Sequence, residues 1–171
     1  MKDRFLCVMA QFDKETELRL KEIQRGLFDN GFRGKQTPNL PSHISLGTFD
    51  ISKEEEIKEK VRMVSKNFNS FDIKLSNIGL FGLEVLFIAP AVNQELLRLQ
   101  GNFNNNYANE FGWTAHTTLL IDDSEAILKA LPFVASNFNS FNGRIESISL
   151  YEFWPTRFIL ECKLENKVTL I

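Results

Sequence analysis

Histidine and cysteine are scarce in this chain: its 171 residues hold two of each. Cys7 and Cys162 stand alone inside apolar runs, without the Cys-x-x-Cys spacing of a zinc or redox site. They read as buried free thiols in a reducing compartment, and no disulfide framework is expected. A surplus of charge is missing as well. Lys and Arg number 20 and Asp and Glu 22, a net charge of −2, which excludes a broad basic surface that tracks long duplex nucleic acid by neutralising many phosphates. A small phosphorylated ligand is compatible with that balance. No apolar stretch approaches the roughly 20 residues that span a bilayer. The opening MKDRFLCVMAQF lacks the apolar segment and small-residue cleavage site of a secretory signal. Together these absences predict a cytoplasmic protein with no membrane partner; nothing in the sequence sets an oligomeric state.

Apolar material is plentiful: 43% of the residues are hydrophobic and 16 are Phe, enough to fill the core of a single domain over 1–171. The pentapeptide NFNSF occurs twice, at 67–71 and, seventy positions later, at 137–141. The match extends in both directions. Upstream, Ile57, Val61, Val64 and Phe68 recur as Ile127, Leu131, Val134 and Phe138, the spacing that lines one face of a helix. Ser52 with Glu55 and Asp122 with Glu125 form capping-box patterns at the two helix starts, while Pro132 predicts a kink or an end near Leu131. Downstream, Leu75, Ile78, Leu80 and Phe81 recur as Ile145, Ile148, Leu150 and Tyr151. Both runs break period-2 alternation at the same place, the mark of a β-bulge. A further strand follows in each half, at 84–90 and 157–164.

Each half opens with a helical stretch, 14–32 and 92–112, and then a short β-like run, HISLGTF at 43–49 and HTTLLI at 116–121. The offset there is 73, since the next connection is three residues longer in the first half, a change loops absorb easily. Within the second helical stretch, Phe103, Tyr107 and Phe111 recur every four residues, so the Asn-rich segment reads as a helix with a polar outer face. The prediction is an α+β fold duplicated into two pseudo-symmetric lobes, about 13–90 and 91–165, with an extra N-terminal strand over 4–11. Each lobe is an antiparallel sheet with helices on its outer face, and a cleft lies between them.

The repeat places both histidines at the start of the corresponding strand, each followed two residues later by a hydroxyl: His43 with Ser45 and His116 with Thr118. Alternation along a strand points each pair to one side. Two such strands facing across a cleft would present two imidazoles and two hydroxyls to a phosphate. An imidazole titrates near pH 6.5, so a neutral one can take a proton from water while a protonated one gives a proton to a leaving oxygen. The hydroxyls can donate hydrogen bonds to non-bridging oxygens. This chemistry needs no metal and no cofactor, and a zinc site lacks further His or paired Cys ligands. Arg33 and Lys35 sit in a Gly-, Pro- and Asn-rich loop before the first motif, where they either hold a second phosphate or are solvated. Trp113 either stacks on a base or packs in the core.

HISL and HTTL at repeat-equivalent positions resemble the 2H phosphoesterases, named for two His-x-Ser/Thr-x motifs on the paired strands of a duplicated fold. The resemblance covers nearly the whole chain. It implies metal-independent hydrolysis of a cyclic phosphodiester, above all a 2′,3′-cyclic phosphate of a nucleotide or RNA end, and in some relatives action on 2′-5′ linkages. It also implies that His43 and His116 are the acid and base pair, with Ser45 and Thr118 gripping the phosphate. The likeness departs at Leu120 and Ile121, where several nucleic-acid-acting relatives carry an Arg, and at Thr117, where an aliphatic residue is usual. A module that binds phosphorylated nucleotides without turnover, and a scaffold whose histidines are structural, are the competing readings.

Overall fold

The computed structural model describes residues 4–104 and 112–165. In chain order it holds β1 (Phe5–Phe12), α1 (Lys14–Asp29), β2 (His43–Asp50), a 3-10 turn (Ile51–Lys53), α2 (Glu54–Asn67), β3 (Phe71–Phe81) and β4 (Val85–Ala91). These are followed by α3 (Gln94–Gly101), β5 (Thr117–Ile121), α4 (Ser124–Asn137), β6 (Phe141–Phe153) and β7 (Arg157–Lys163). The fold is α+β, as its sequence pattern predicts. Every strand pairing is antiparallel, in the order β2-β1-β6-β3-β4-β5, with β7 also on β6.

The sheet has two wings, β2-β1-β6-β7 and β5-β4-β3. They join through a short ladder in which Phe71 pairs with Ile145, Ile73 with Gly143 and Leu75 with Phe141. Because Phe71 and Phe141 are repeat mates, as are Leu75 and Ile145, this ladder is self-complementary about its centre at Ile73 and Gly143. The last residue of each NFNSF copy therefore begins a strand of the junction.

Register moves the frame of the repeat. Met9 lies between Ser45 and Ser149, while Phe87 lies between Thr118 and Gly79, which are the repeat mates of those two residues. So β1 corresponds to β4, and the unmatched strand is the C-terminal β7 rather than the N-terminal one. The repeating unit is β-α-β-α-β, and each unit lends its third strand to the other wing.

The shared break in alternation is a register step in both halves. The β3–β4 ladder steps over Ser76 and the β1–β6 ladder over Glu146, which are repeat mates. The three extra residues of the first half form the 3-10 turn Ile51–Lys53. The caps differ from the predicted boxes by a residue or two. Asp50 accepts from the Ser52 N–H and Asp123 from the Ala126 N–H, so the capping carboxylates keep the offset of the strands that precede them. Pro132 does not end its helix, which runs on to Asn137; the ring is exposed, whereas Ile127, Ala130 and Val134 on the other face are buried. Burial of each large side chain contributes about 1.5–3 kcal/mol, which offsets the roughly 3 kcal/mol that an interior proline costs.

Leu6, Val8, Ala10, Ile44, Leu46, Ile148 and Leu150 share one core cluster with the buried helix residues Leu20, Ile57, Val61, Leu96 and Val134. The alternate residues Cys7, Met9, Gln11, His43, Ser45 and Ser149 therefore face the other way. Cys7 is buried and Cys162 only half-buried; both are free thiols. The part of the predicted second helix carrying Tyr107 and Phe111 lies outside the described residues, but Phe103 is fully buried. Among the described residues no helix is long and apolar enough to cross a membrane.

Candidate functional site

Buried Ile44 and Leu46 anchor β2 to the helix side of its wing, so His43 and Ser45 face the cleft. In the other wing Leu119 is the buried anchor, and Thr118 turns away from it. His116 lies one residue before β5, just outside the strand the sequence predicts for it. Both ladders step their register three residues past the histidine: β1–β2 skips Leu46 and β4–β5 skips Leu119, again repeat mates. A step of this kind re-aims nearby side chains. Although β2 and β5 stand at the two ends of the strand order, they approach each other, and the Trp113 indole N–H donates to the Ser45 carbonyl at 2.9 Å. The sheet thus curls until its two histidine segments meet.

The two imidazoles are held alike. His43 Nδ1 lies 2.8 Å from the Pro41 carbonyl and His116 Nδ1 lies 2.7 Å from the Thr114 carbonyl. A carbonyl can only accept, so Nδ1 carries the proton in both rings and each neutral ring keeps Nε2 as its open acceptor. Burial pushes the pKa of His43 below its usual value, and the charge of His116 pushes the same way; the Pro41 bond and the Glu17 carboxylate oppose the shift. Burial likewise lowers His116, against the Thr114 bond.

Aromatic packing fixes His116 further. Its ring meets Phe81 edge-on at 4.7 Å and Phe87 at 5.2 Å between centroids. Phe87 lies flat over Gly79, where an added Cβ would come within 2.3 Å of the ring. Phe81 is therefore a wall of the histidine, whereas its repeat mate Tyr151 packs with Cys7, Met9 and Phe153.

A cavity of about 600 Å³ opens on the His43 side. Its polar end holds Ser42, His43, Ser45, Thr117 and Thr118, and its apolar wall includes Phe5, Met9, Leu40, Phe153 and Trp154. The Cys7 thiol reaches Ser45 Oγ at 3.6 Å, and burial pushes its pKa up to about 11, so it is a neutral neighbour of Ser45. Gln24 reaches from α1 to the Thr118 carbonyl at 3.3 Å.

Of the residues the sequence singles out, His43, Ser45, Thr118 and Lys35 line this cavity. His116 adjoins it through Thr117 and Thr118. Arg33 lines a neighbouring groove with Lys21 and Arg25, its guanidinium over the Phe28 ring. Lys35 is tied to β5: its N–H donates to the Ile121 carbonyl at 2.6 Å and its ammonium stands 3.2 Å from Asp122. Trp113 packs against the core and lines neither space; the tryptophan in the cavity is Trp154. Ser42 has no counterpart in the repeat, where Ala115 is its mate. It is only 7% exposed, and among the described residues its Oγ has no hydrogen-bond partner. Among the described residues no three His, Cys, Asp or Glu side chains gather to hold a metal ion.

The family model described as the 2′-5′ RNA ligase superfamily matches residues 12–156. Three solved structures share the fold. A Thermus thermophilus protein, TT0787, is 11% identical over 94% of this chain and 97% of its own, with a TM-score of 0.64. Apo LigT of E. coli is 16% identical over 97% and 100%, with a TM-score of 0.62. LigT complexed with 3′-AMP is 15% identical over 96% and 100%, with a TM-score of 0.60. No curated protein sequence matches the chain.

Proposed function

Because the chain belongs to the 2′-5′ RNA ligase superfamily, we propose that it hydrolyses a cyclic phosphodiester, a 2′,3′-cyclic phosphate of a nucleotide or RNA end. His43 and His116 exchange the protons, and Ser45 and Thr118 hold the non-bridging oxygens. The observation that carries this reading is the matched tautomer: both rings are pinned through Nδ1 to the carbonyl two residues upstream. A purely structural histidine does not need its Nε2 kept open. Two such groups suit proton removal on one side of a phosphorus and proton delivery on the other, each worth about 10²–10⁴-fold.

The cavity supports a nucleoside as the rest of the substrate. Its volume lies in the range of small-ligand sites, and Phe5, Phe153 and Trp154 offer faces on which a base can stack. LigT, which shares the fold, has been solved with 3′-AMP. The missing Arg after the second motif has a neighbour in Lys35, whose backbone N–H bonds the Ile121 carbonyl and whose ammonium lies beside Asp122. The lysine side chain is 67% exposed although Asp122 is mostly covered, so its ammonium is open to a substrate oxyanion.

Incubation of the protein with a panel of 2′,3′-cyclic nucleotides and cyclic-phosphate-ended RNA in EDTA tests the reading, with ³¹P NMR following ring opening. The expected result is turnover that survives EDTA and falls by about 10²–10⁴-fold in His43→Ala and in His116→Ala. Binding without turnover across the panel would make the protein a nucleotide-binding module, and neither would return the histidines to a structural role.

A further inference from the structure

A second cavity, of about 760 Å³, adjoins the first and shares Gln24, Gln36, Thr37, Leu40 and Pro41 with it. We propose that this groove is a strand subsite: Lys21, Arg25 and Arg33 grip the phosphodiester on the 5′ side of the terminal nucleotide, so that the favoured substrate is the cyclic-phosphate end of an RNA strand rather than a free cyclic nucleotide. The turnover of that end rests on the cyclic phosphodiesterase reading above, whereas the capture of a strand phosphate in the groove does not.

One wall of the groove is helical. Lys21, Gln24, Arg25 and Phe28 follow one another at three- and four-residue steps along α1, which puts them on a single face. The other wall is the connection from α1 to β2, where Gly34 takes a φ of 70°. A Cβ there would lie 2.8 Å from Leu120, so the chain passes against β5 as only glycine allows. Just beyond, the Lys35 N–H donates to the Ile121 carbonyl at 2.6 Å and the Ile121 N–H donates to Gln36 Oε1 at 3.3 Å. Both walls are therefore set before a ligand arrives.

The charge of the groove runs against that of the chain. The protein as a whole carries −2, yet three cations line the groove and, among the described residues, no carboxylate does. Lys21 stands 3.1 Å from Glu17, a carboxylate that both oxygens also tie to the Ser42 N–H, at 3.2 and 3.1 Å. Arg25 and Arg33 are exposed, and among the described residues no carboxylate pairs with either. The Arg33 guanidinium lies 5.5 Å from the centre of the Phe28 ring, and a stacked guanidinium keeps its fork of N–H donors for a phosphate. Two uncompensated guanidiniums in a concave, otherwise neutral lining attract an anion.

Continuity with the first cavity says which anion. A free 2′,3′-cyclic nucleotide has a single phosphate, which the two histidine segments take, and it leaves the groove empty. An RNA end carries its next phosphodiester one sugar away. The residues shared by the two cavities also touch the histidine segments: the Pro41 carbonyl holds His43 Nδ1 at 2.8 Å, and Gln24 reaches the Thr118 carbonyl at 3.3 Å. A strand can thus run from the histidines into the groove along one lining. Three cations suit one or two phosphates of a single strand and are too few to track a duplex.

Calorimetric titration with two unreactive probes, 3′-AMP and a ribotrinucleotide ending in a 3′-phosphate, tests the groove without turnover. The trinucleotide should bind the unaltered protein about tenfold or more tightly than 3′-AMP. The double variant Arg25→Gln, Arg33→Gln should lose most of that advantage, and its salt slope for the trinucleotide should fall by roughly 0.7 for each phosphate no longer neutralised. Lys129→Gln, an exposed cation of α4 paired with Glu125, should keep the advantage, which separates the groove from general charge attraction. Equal affinity for the two probes, binding of neither, or an advantage that survives in the double variant overturns the proposal. Rates on a 2′,3′-cyclic nucleotide and on a trinucleotide ending in a cyclic phosphate complete the test: the double variant should raise KM on the trinucleotide about tenfold more than on the nucleotide, with little change in kcat. Equal losses on both substrates contradict a strand subsite. Groove-dependent binding of the trinucleotide with no turnover of either substrate would sink the phosphodiesterase reading and leave the subsite standing.

Discussion

At Gly79 a single hydrogen in place of a side chain decides where a catalytic candidate points. Its empty position lets the Phe87 ring lie against β3, and Phe87 with Phe81, 4.5 Å apart, backs His116. Gly79→Ala would put a methyl 2.3 Å from that ring, so the ring must shift and the imidazole with it. The expected cost is about 1–3 kcal/mol of stability, as for other overpacked sites, together with a loss of turnover larger than the stability loss explains. Gly101→Ala, whose Cβ meets nothing within 4 Å, should leave both unchanged. Thermal melts and initial rates of the two variants check this, and equal behaviour of the pair would contradict the role given to Phe87. At this scale the sequence was legible where it repeats: His43 and His116, Ser45 and Thr118 stand out because they are mates. Ser42, Glu17 and Trp154 were not, because each belongs to one half only and acts through a fold that pattern alone does not supply.

At the scale of elements, register explains what periodicity suggested. The alternation break at Ser76 and Glu146 is a pair of steps at equivalent points, and a second pair at Leu46 and Leu119 flanks the histidine strands. Those second steps were hidden because HISLGTF and HTTLLI are too short to show a lost period. The caps were misplaced for a related reason: Ser52 and Asp122 satisfy the local pattern, but Asp50 and Asp123 sit where the chain leaves each strand. Helix α4 shows tertiary burial overruling a local breaker. Pro132→Ala should restore the missing N–H to the turn and relieve the ring clash, a gain of about 3 kcal/mol, less about 0.4–1 kcal/mol for the freer unfolded chain. Urea unfolding should therefore show a stabilisation of about 2 kcal/mol. An unchanged or lower midpoint would mean that the proline carries packing of its own.

At the scale of the whole molecule, the duplication was legible from NFNSF outward, but its frame was not. The two strands EVLFIAP and RFILECKL look like mates in the sequence, yet hydrogen bonding matches β4 with β1 and leaves β7 over. Strand neighbours are set by which edges the helices leave open, a long-range outcome. The same exchange of third strands builds the junction at Ile73 and Gly143, and the curl of the sheet brings its end strands together. Glu152, nearly buried on β6, receives hydrogen bonds from Arg4 at 2.6 Å and Arg157 at 2.7 Å. Arg157 also reaches Glu54 of α2, which ties the first and last strands of one wing to a helix.

With two histidines in the chain, an imidazole nitrogen spectrum contains two rings, and every signal can be assigned. Long-range ¹H–¹⁵N NMR of the labelled protein, titrated with pH and then with 3′-AMP, tests whether those rings form one site. The expected result is protonated Nδ1 and open Nε2 in both rings at pH 7, titration of both below the usual value near 6.5, and joint movement of both Nε2 signals on adding the nucleotide. A ring carrying its proton on Nε2, or a nucleotide response confined to one histidine or absent from both, would contradict a shared two-histidine site.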